Sequence, residues 1–179
     1  MKNCIAFVIL IVNTFYAKSQ AILNTFYINQ SGEKVLRLEA VLPVDITTAW
    51  KLFNTDEKLK NWITPVAHIQ LKTGGYIITN YDTAMSLTDS NCIKLPILSF
   101  IDNELLVLKV NLNSNFAQSV RNDDGQLQEI IQFKETGKNK RKIISSMTGW
   151  GTGNDLDKTY YFFAKGNEWT YRELLKQYH

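Results

Sequence analysis

Cysteine and histidine are scarce in this chain of 179 residues, with two of each. The cysteines are Cys4 and Cys92, and the histidines are His68 and His179. One interior histidine and one cysteine outside the N-terminal segment cannot assemble a zinc cluster of ordinary composition. If the segment carrying Cys4 is removed, Cys92 has no partner for an internal disulfide, and a chain of this size builds a core large enough to fold without one. Cys92 is then either a buried small hydrophobe or an exposed thiol. Any Ser-His-Asp or Cys-His mechanism would have to use His68, because His179 is the terminal residue. Nothing in the spacing brings Cys92 to His68.

Charge of one sign is equally thin. The formal net charge is +3, and loss of Lys2 and Lys18 with the N-terminal segment lowers it to +1. Such a balance provides no general drive toward nucleic acid or an anionic membrane. The cluster Lys138–Lys142 at a hairpin reads as a solvated tip. Internal repeats, low-complexity tracts and linkers are absent. With 45% hydrophobic and 21% charged residues, the composition is that of an ordinary globular domain.

The N-terminus has the form of an export signal. Lys2 carries the positive charge, Cys4 to Val12 is almost unbroken apolar sequence, and Ala17-Lys18-Ser19 places small residues two apart. The apolar run is shorter than the roughly 20 residues that span a bilayer. Cys4 sits too early in the run for lipidation. The expectation is a signal peptide over 1–19 cleaved after Ser19, a lead-in over 20–33 and one domain over 34–179. The mature protein would be periplasmic or secreted, without stable membrane insertion.

Local patterns then set the elements. Lys34–Leu42 alternates apolar and polar residues and predicts a strand, ended by Pro43. Asp45 is an N-cap for a helix whose buried stripe is Ile46, Ala49, Trp50 and Phe53. Thr55 or Asp56 caps a second short helix ending near Trp62. Strands are predicted over Val66–Lys72, Tyr76–Tyr81, Leu98–Ile101, Leu105–Leu112, Gln126–Lys134 and Lys140–Thr148. The turns are Gly74-Gly75, Asp102-Asn103, Asn122–Gly125 and Thr136–Asn139. Asp82–Asn91 is polar and predicts a loop. From Asn154 or Asp155 the period becomes helical, with Leu156, Tyr160, Phe163, Thr170 and Leu174 on one face and Tyr161, Ala164, Tyr171 and Leu175 beside it.

A strand, paired short helices, an antiparallel meander and a long C-terminal helix together resemble the START-like, or SRPBCC, superfamily, whose fold is the helix grip of the birch-pollen allergen type. The branch most similar is that of bacterial relatives of the activator of the Hsp90 ATPase. The residues that carry the resemblance are Leu38 to Trp50, Trp62 and Pro65, Gly74-Gly75, Gly149-Trp150, Tyr161-Phe162, Trp169 and Leu174-Leu175. It implies an α+β helix-grip fold with a curved antiparallel sheet of about six or seven strands, two short helices and one long C-terminal helix. The branch is mostly cytosolic, whereas this chain opens on an export signal, so the co-chaperone role is not carried over.

A curved sheet cannot collapse fully on one helix and tends to leave a concave apolar cavity, the usual setting of a small-ligand site. The expected lining is Leu106, Leu108 and Val110 from one strand, Ile131 and Phe133 from the next, and Ile143, Ser145 and Met147 from the last. Tyr160, Phe163, Asn167 and Tyr171 come from the closing helix. The phase of Tyr76–Tyr81 is ambiguous, and Tyr81 is its candidate. The expected function is non-catalytic binding of a small hydrophobic molecule or lipid, without cofactor or metal. The alternatives are a cyclase- or hydrolase-like enzyme in the same cavity and a protein-interaction module with a filled core. For the enzyme, Glu39, Glu129, Glu168 and Tyr81 are candidate acid–base groups, and no pattern selects a pair. Asp155 and Asp157 complement a helix dipole rather than a metal. The glycines from Gly149 to Gly153 lack the ending of a phosphate loop.

Overall fold

The computed structural model describes residues 22–122 and 124–178. The expected signal peptide, His179 and one residue of the Asn122–Gly125 turn lie outside them. Seven longer strands form the sheet: β3 (Lys34–Leu42), β4 (Val66–Gln70), β5 (Tyr76–Asn80), β6 (Ile93–Ile101), β7 (Leu105–Lys109), β8 (Gln128–Gly137) and β9 (Lys140–Thr148). Two short strands of the lead-in, β1 (Leu23–Asn24) and β2 (Tyr27–Ile28), pair antiparallel with β3. The order is β1-β3-β9-β8-β7-β6-β5-β4. The first long strand thus pairs with the last, and β3 and β4 lie toward opposite ends of the sheet.

Two helices make the crossing between those ends. Asp45 accepts from the Thr48 backbone N–H at 2.9 Å and starts α1 (Ile46–Asn54). Its buried face, Ala49, Trp50, Leu52 and Phe53, packs on the concave side of the sheet. Trp50 and Phe53 both meet Phe133 of β8 edge-on, with ring centroids 5.2 and 5.1 Å away. The start of α2 (Asp56–Trp62) differs from expectation: Thr55 makes no capping bond, because its hydroxyl donates back to Lys51 O at 3.1 Å. The Asp56 carboxylate accepts instead from Ile69 N at 2.8 Å and pairs with His68 Nδ1 at 2.7 Å, tying α2 to β4.

β6 begins at Ile93, earlier than expected, and runs through Pro96. Pro96 pairs with Tyr76 of β5, while the ladder to β7 starts only at Ile97. The missing proline N–H therefore removes no bond on the β7 side. β7 ends at Lys109, and the following segment forms a helix that the sequence pattern does not reveal, α3 (Gln118–Asn122). Asn103 and Asn139 adopt φ of 65° and 51° in their expected turns.

The last helix, α4 (Asn154–Lys176), crosses the concave side and is held at both ends. Tyr171, Leu174 and Leu175 belong to the core built by α1, α2 and the sheet. Leu156 and Tyr160 belong to a second cluster with Val120 of α3, Met147 and Trp150. Between them, from Tyr161 to Thr170, no residue is fully buried. Tyr161, expected beside the apolar stripe, is 66% exposed, at the rim of a groove against the lead-in strands.

Candidate functional site

The alternation of the strands supplies the inner wall. On β7 and just beyond it the inward phase is Leu106, Leu108 and Val110, on β8 it is Glu129, Ile131 and Phe133, and on β9 it is Ile143, Ser145 and Met147. On β5, Ile77 and Thr79 are buried, which resolves the ambiguous phase toward Tyr81. Each inward phase is covered in two parts. At one end, α1 and α2 pack Trp50, Phe53 and Trp62 against the sheet, and Phe53 and Trp62 also close that end of the cavity. At the other end, α4 spans a cavity of about 490 Å³ between itself and the sheet. That volume falls within the several hundred Å³ usual for small-molecule sites, from about 300 to 1,000 Å³.

Tyr81, Leu108, Val110, Ile131, Met147, Phe163, Asn167 and Tyr171 all line this cavity, as expected from the sequence. Five other expected residues do not, and they require correction. Leu106, Phe133 and Ile143 have the right phase, but they lie where α1 fills the space and are packed in the main core. Ser145 faces inward but is 2% exposed and absent from the lining, its hydroxyl bonded to Glu129 Oε1 at 2.6 Å. Tyr160 turns away from the cavity to meet Trp150 edge-on at 5.1 Å, and it lines a smaller groove against the lead-in strands.

Other lining residues are not evident from the sequence. Phe116, Ala117 and Val120 come from the segment between β7 and β8. Phe116 stacks on Phe163 with ring centroids 5.7 Å apart and planes 7° from parallel. Ser119 Oγ donates to Asp155 Oδ2 at 3.0 Å, which latches α3 to the start of α4. The available signal was Phe116 followed by Val120 at helical spacing, too short to register as periodic. Thr79 was readable as the partner in phase with Tyr81.

Several polar groups also line the cavity. Asn111, Asn115, Asp155 and Lys158 are exposed at its edge. Glu129 and Tyr171 lie deeper. Burial pushes the Glu129 carboxyl up from the usual carboxylate range, opposed by the Ser145 hydrogen bond. Burial also raises the Tyr171 phenol well above its ordinary value, and Glu129 adds to this when it is ionised. The Ser145 hydroxyl acts against that rise, yet its proton is committed to Glu129, and Tyr171 Oη has no hydrogen-bond partner among the described residues. Tyr81 is 52% exposed overall, but burial of its phenol raises its pKa too, with the Thr170 hydroxyl opposing.

His68, the only described histidine, pairs with Asp56, and Cys92 Sγ donates to Ser86 O at 3.4 Å. They form no dyad. Glu39 is held by Lys142 at 2.8 Å and Arg37 at 2.8 Å, and Glu168 pairs with Arg172 at 2.6 Å, all away from the cavity lining. Among the described residues no group of acidic, histidine and cysteine side chains could hold a metal ion, and no helix is long and apolar enough to cross a membrane.

A curved antiparallel sheet gripped by a long C-terminal helix, with two short helices filling one end, is the helix-grip architecture of the START-like superfamily. Within it, the chain belongs to the Activator of Hsp90 ATPase homolog 1-like protein family, whose sequence profile matches residues 43–179. Solved structures agree in fold. A protein of Mesorhizobium loti superposes with a TM-score of 0.62 at 13% identity, covering 79% of this chain and 94% of its own. The Aha1 dimer from Colwellia psychrerythraea gives 0.58 at 14% identity, covering 80% and 92%. An Hsp90 activator from Plasmodium falciparum gives 0.56 at 12% identity, covering 81% and 97%. No curated protein matches the chain. Membership indicates a role in binding or activation, and identities this low carry the fold alone.

Proposed function

We propose that the protein binds a small hydrophobic or amphipathic molecule, such as a lipid, in the cavity between the sheet and α4, without chemical conversion. The supporting observation is how α4 is held. Its two ends are packed into separate clusters, and its middle, Tyr161–Thr170, spans a space of about 490 Å³ instead of sinking into it. Packed interiors leave few voids larger than a water molecule, so a maintained space of this size suits an occupant. Native mass spectrometry of protein purified from its own host is expected to show an adduct. A lipid and aromatic panel should raise the melting temperature, and Phe163→Asp should abolish uptake. A clean apo mass together with no thermal shift overturns the reading. The same spectrum reads the N-terminus: export with cleavage after Ser19 predicts a chain starting at Gln20, and an intact Met1 contradicts it.

A second reading, a cyclase- or hydrolase-like enzyme, is supported by one feature. Glu129 is a carboxyl with a raised pKa in a largely apolar cavity, the kind of group that serves as a general acid. A protein partner, as the family name implies, would meet the exposed Tyr161 and Trp169 of α4. The cavity of about 490 Å³ supports the ligand-binding reading over an interaction module with a filled core.

A further inference from the structure

Several polar groups that line the cavity are already engaged. The Thr159 hydroxyl donates to Asp155 O at 2.8 Å, and the Thr170 hydroxyl donates to Gly166 O at 2.9 Å. Asn167 Nδ2 contacts Met147 Sδ at 3.1 Å. Lys158 pairs with Asp155 at the exposed edge.

Tyr171 is different. Its side chain lines the cavity, the residue is 4% exposed, and its Oη has no partner among the described residues. A buried phenol left unbonded is costly, and native interiors rarely tolerate one without a water or ligand to complete it. Beside it, Glu129 receives a single hydrogen bond among the described residues, from Ser145 to Oε1. No described Lys, Arg or His pairs with Glu129. Burial raises the Glu129 pKa and so favours the protonated carboxyl, which carries its own O–H donor. With Glu129 protonated, two hydroxyl-bearing groups stand together in a lining that is mostly apolar.

That pairing selects among ligand chemistries. An ammonium group would demand an ionised Glu129, at the full cost of burying both charges. A carboxylate or phosphate would find no unpaired cation beside Tyr171 and Glu129 among the described residues, Lys158 being paired with Asp155 at the exposed edge. An uncharged oxygen with open lone pairs satisfies the donors at no charge cost. Resting on the cavity-binding reading above, we propose that the ligand is an apolar molecule whose buried end carries an uncharged oxygen, a ketone or a hydroxyl, hydrogen-bonded by Tyr171 Oη and the Glu129 carboxyl.

The test displaces a neutral fluorescent probe, N-phenyl-naphthylamine, from the full mature chain with five ligands of one ring system. These are naphthalene, naphthol, acetylnaphthalene, naphthoate and naphthylmethylamine. Naphthol and acetylnaphthalene are expected to compete about tenfold better than naphthalene, the value of one well-made neutral hydrogen bond. Tyr171→Phe should erase that preference, so that naphthol and acetylnaphthalene compete no better than naphthalene in the same variant. Glu129→Leu should weaken it, while Glu129→Gln, which keeps a donor, retains most of it; this pair serves if the tyrosine variant fails to fold. Equal competition by naphthalene, or strongest competition by the ammonium or the carboxylate, overturns the inference and leaves the cavity reading standing. If the probe and every ligand fail to bind a folded wild type, both fall.

Discussion

The Ser145 hydroxyl donates to Glu129 Oε1 at 2.6 Å across the β8–β9 ladder. In the register Ser145 faces Ile131 and Glu129 faces Met147, so the two residues are diagonal neighbours on the inner face of the sheet. This bond is what holds an acid in an apolar wall.

Burial of that acid gives a pH dependence with a definite sign. Burial raises the folded pKa of Glu129 above 4.5, so the folded state binds the proton more tightly than the unfolded state. Stability from this group is greatest below the unfolded value and declines as pH rises through the folded one. Glu129→Gln removes the decline. Thermal unfolding from about pH 4 to pH 8 should show the variant gaining on the wild type as pH rises. A constant difference across that range would show that Glu129 is not held neutral.

Asp56 has the opposite sign. Burial alone would raise its pKa, but the His68 hydrogen bond and the Ile69 N–H together outweigh it and lower the value from 3.8. Its stabilisation is therefore present above the unfolded carboxyl pKa and lost as pH falls below it. Asp56→Ala removes the link between α2 and β4. Because both partners are about 40% exposed, the cost at neutral pH should be only about 1 kcal/mol by urea denaturation. The difference from wild type should shrink on acidification.

Gly149 sits at the corner where β9 turns toward α4, at φ +81°, and a Cβ there would lie 2.0 Å from Gln126 O. Gly149→Ala combines a left-handed backbone with a clash against main chain. It should cost about 2 kcal/mol or more, which lowers the melting temperature by several degrees. Gly166, on α4, is the control. An added methyl there would meet nothing within 4 Å, so Gly166→Ala should be neutral or stabilising. Equal effects at the two sites would refute the corner's strain.

Much of the architecture was legible. The Asp45 cap, the β9 boundaries, the turns at Asn103 and Asn139 and the start of α4 follow from patterns within a few residues. The inward phases of β7, β8 and β9 followed from alternation. The early start of β6 did not, because Pro96 argues against a strand unless one knows that its β7 side is free. α3 was missed because five residues carry no measurable period.

The site divides along the same line. Alternation in the sequence determined which side chains face inward, since backbone pleating sends every second residue to the same side. It could not determine what lies opposite each of them. Phe133 and Ile131 share a strand and a phase, yet α1 covers Phe133 while Ile131 lines the cavity. That distinction, and the convergence of Glu129, Ser145 and Tyr171, come from where helices far apart in the chain come to rest on the curved sheet.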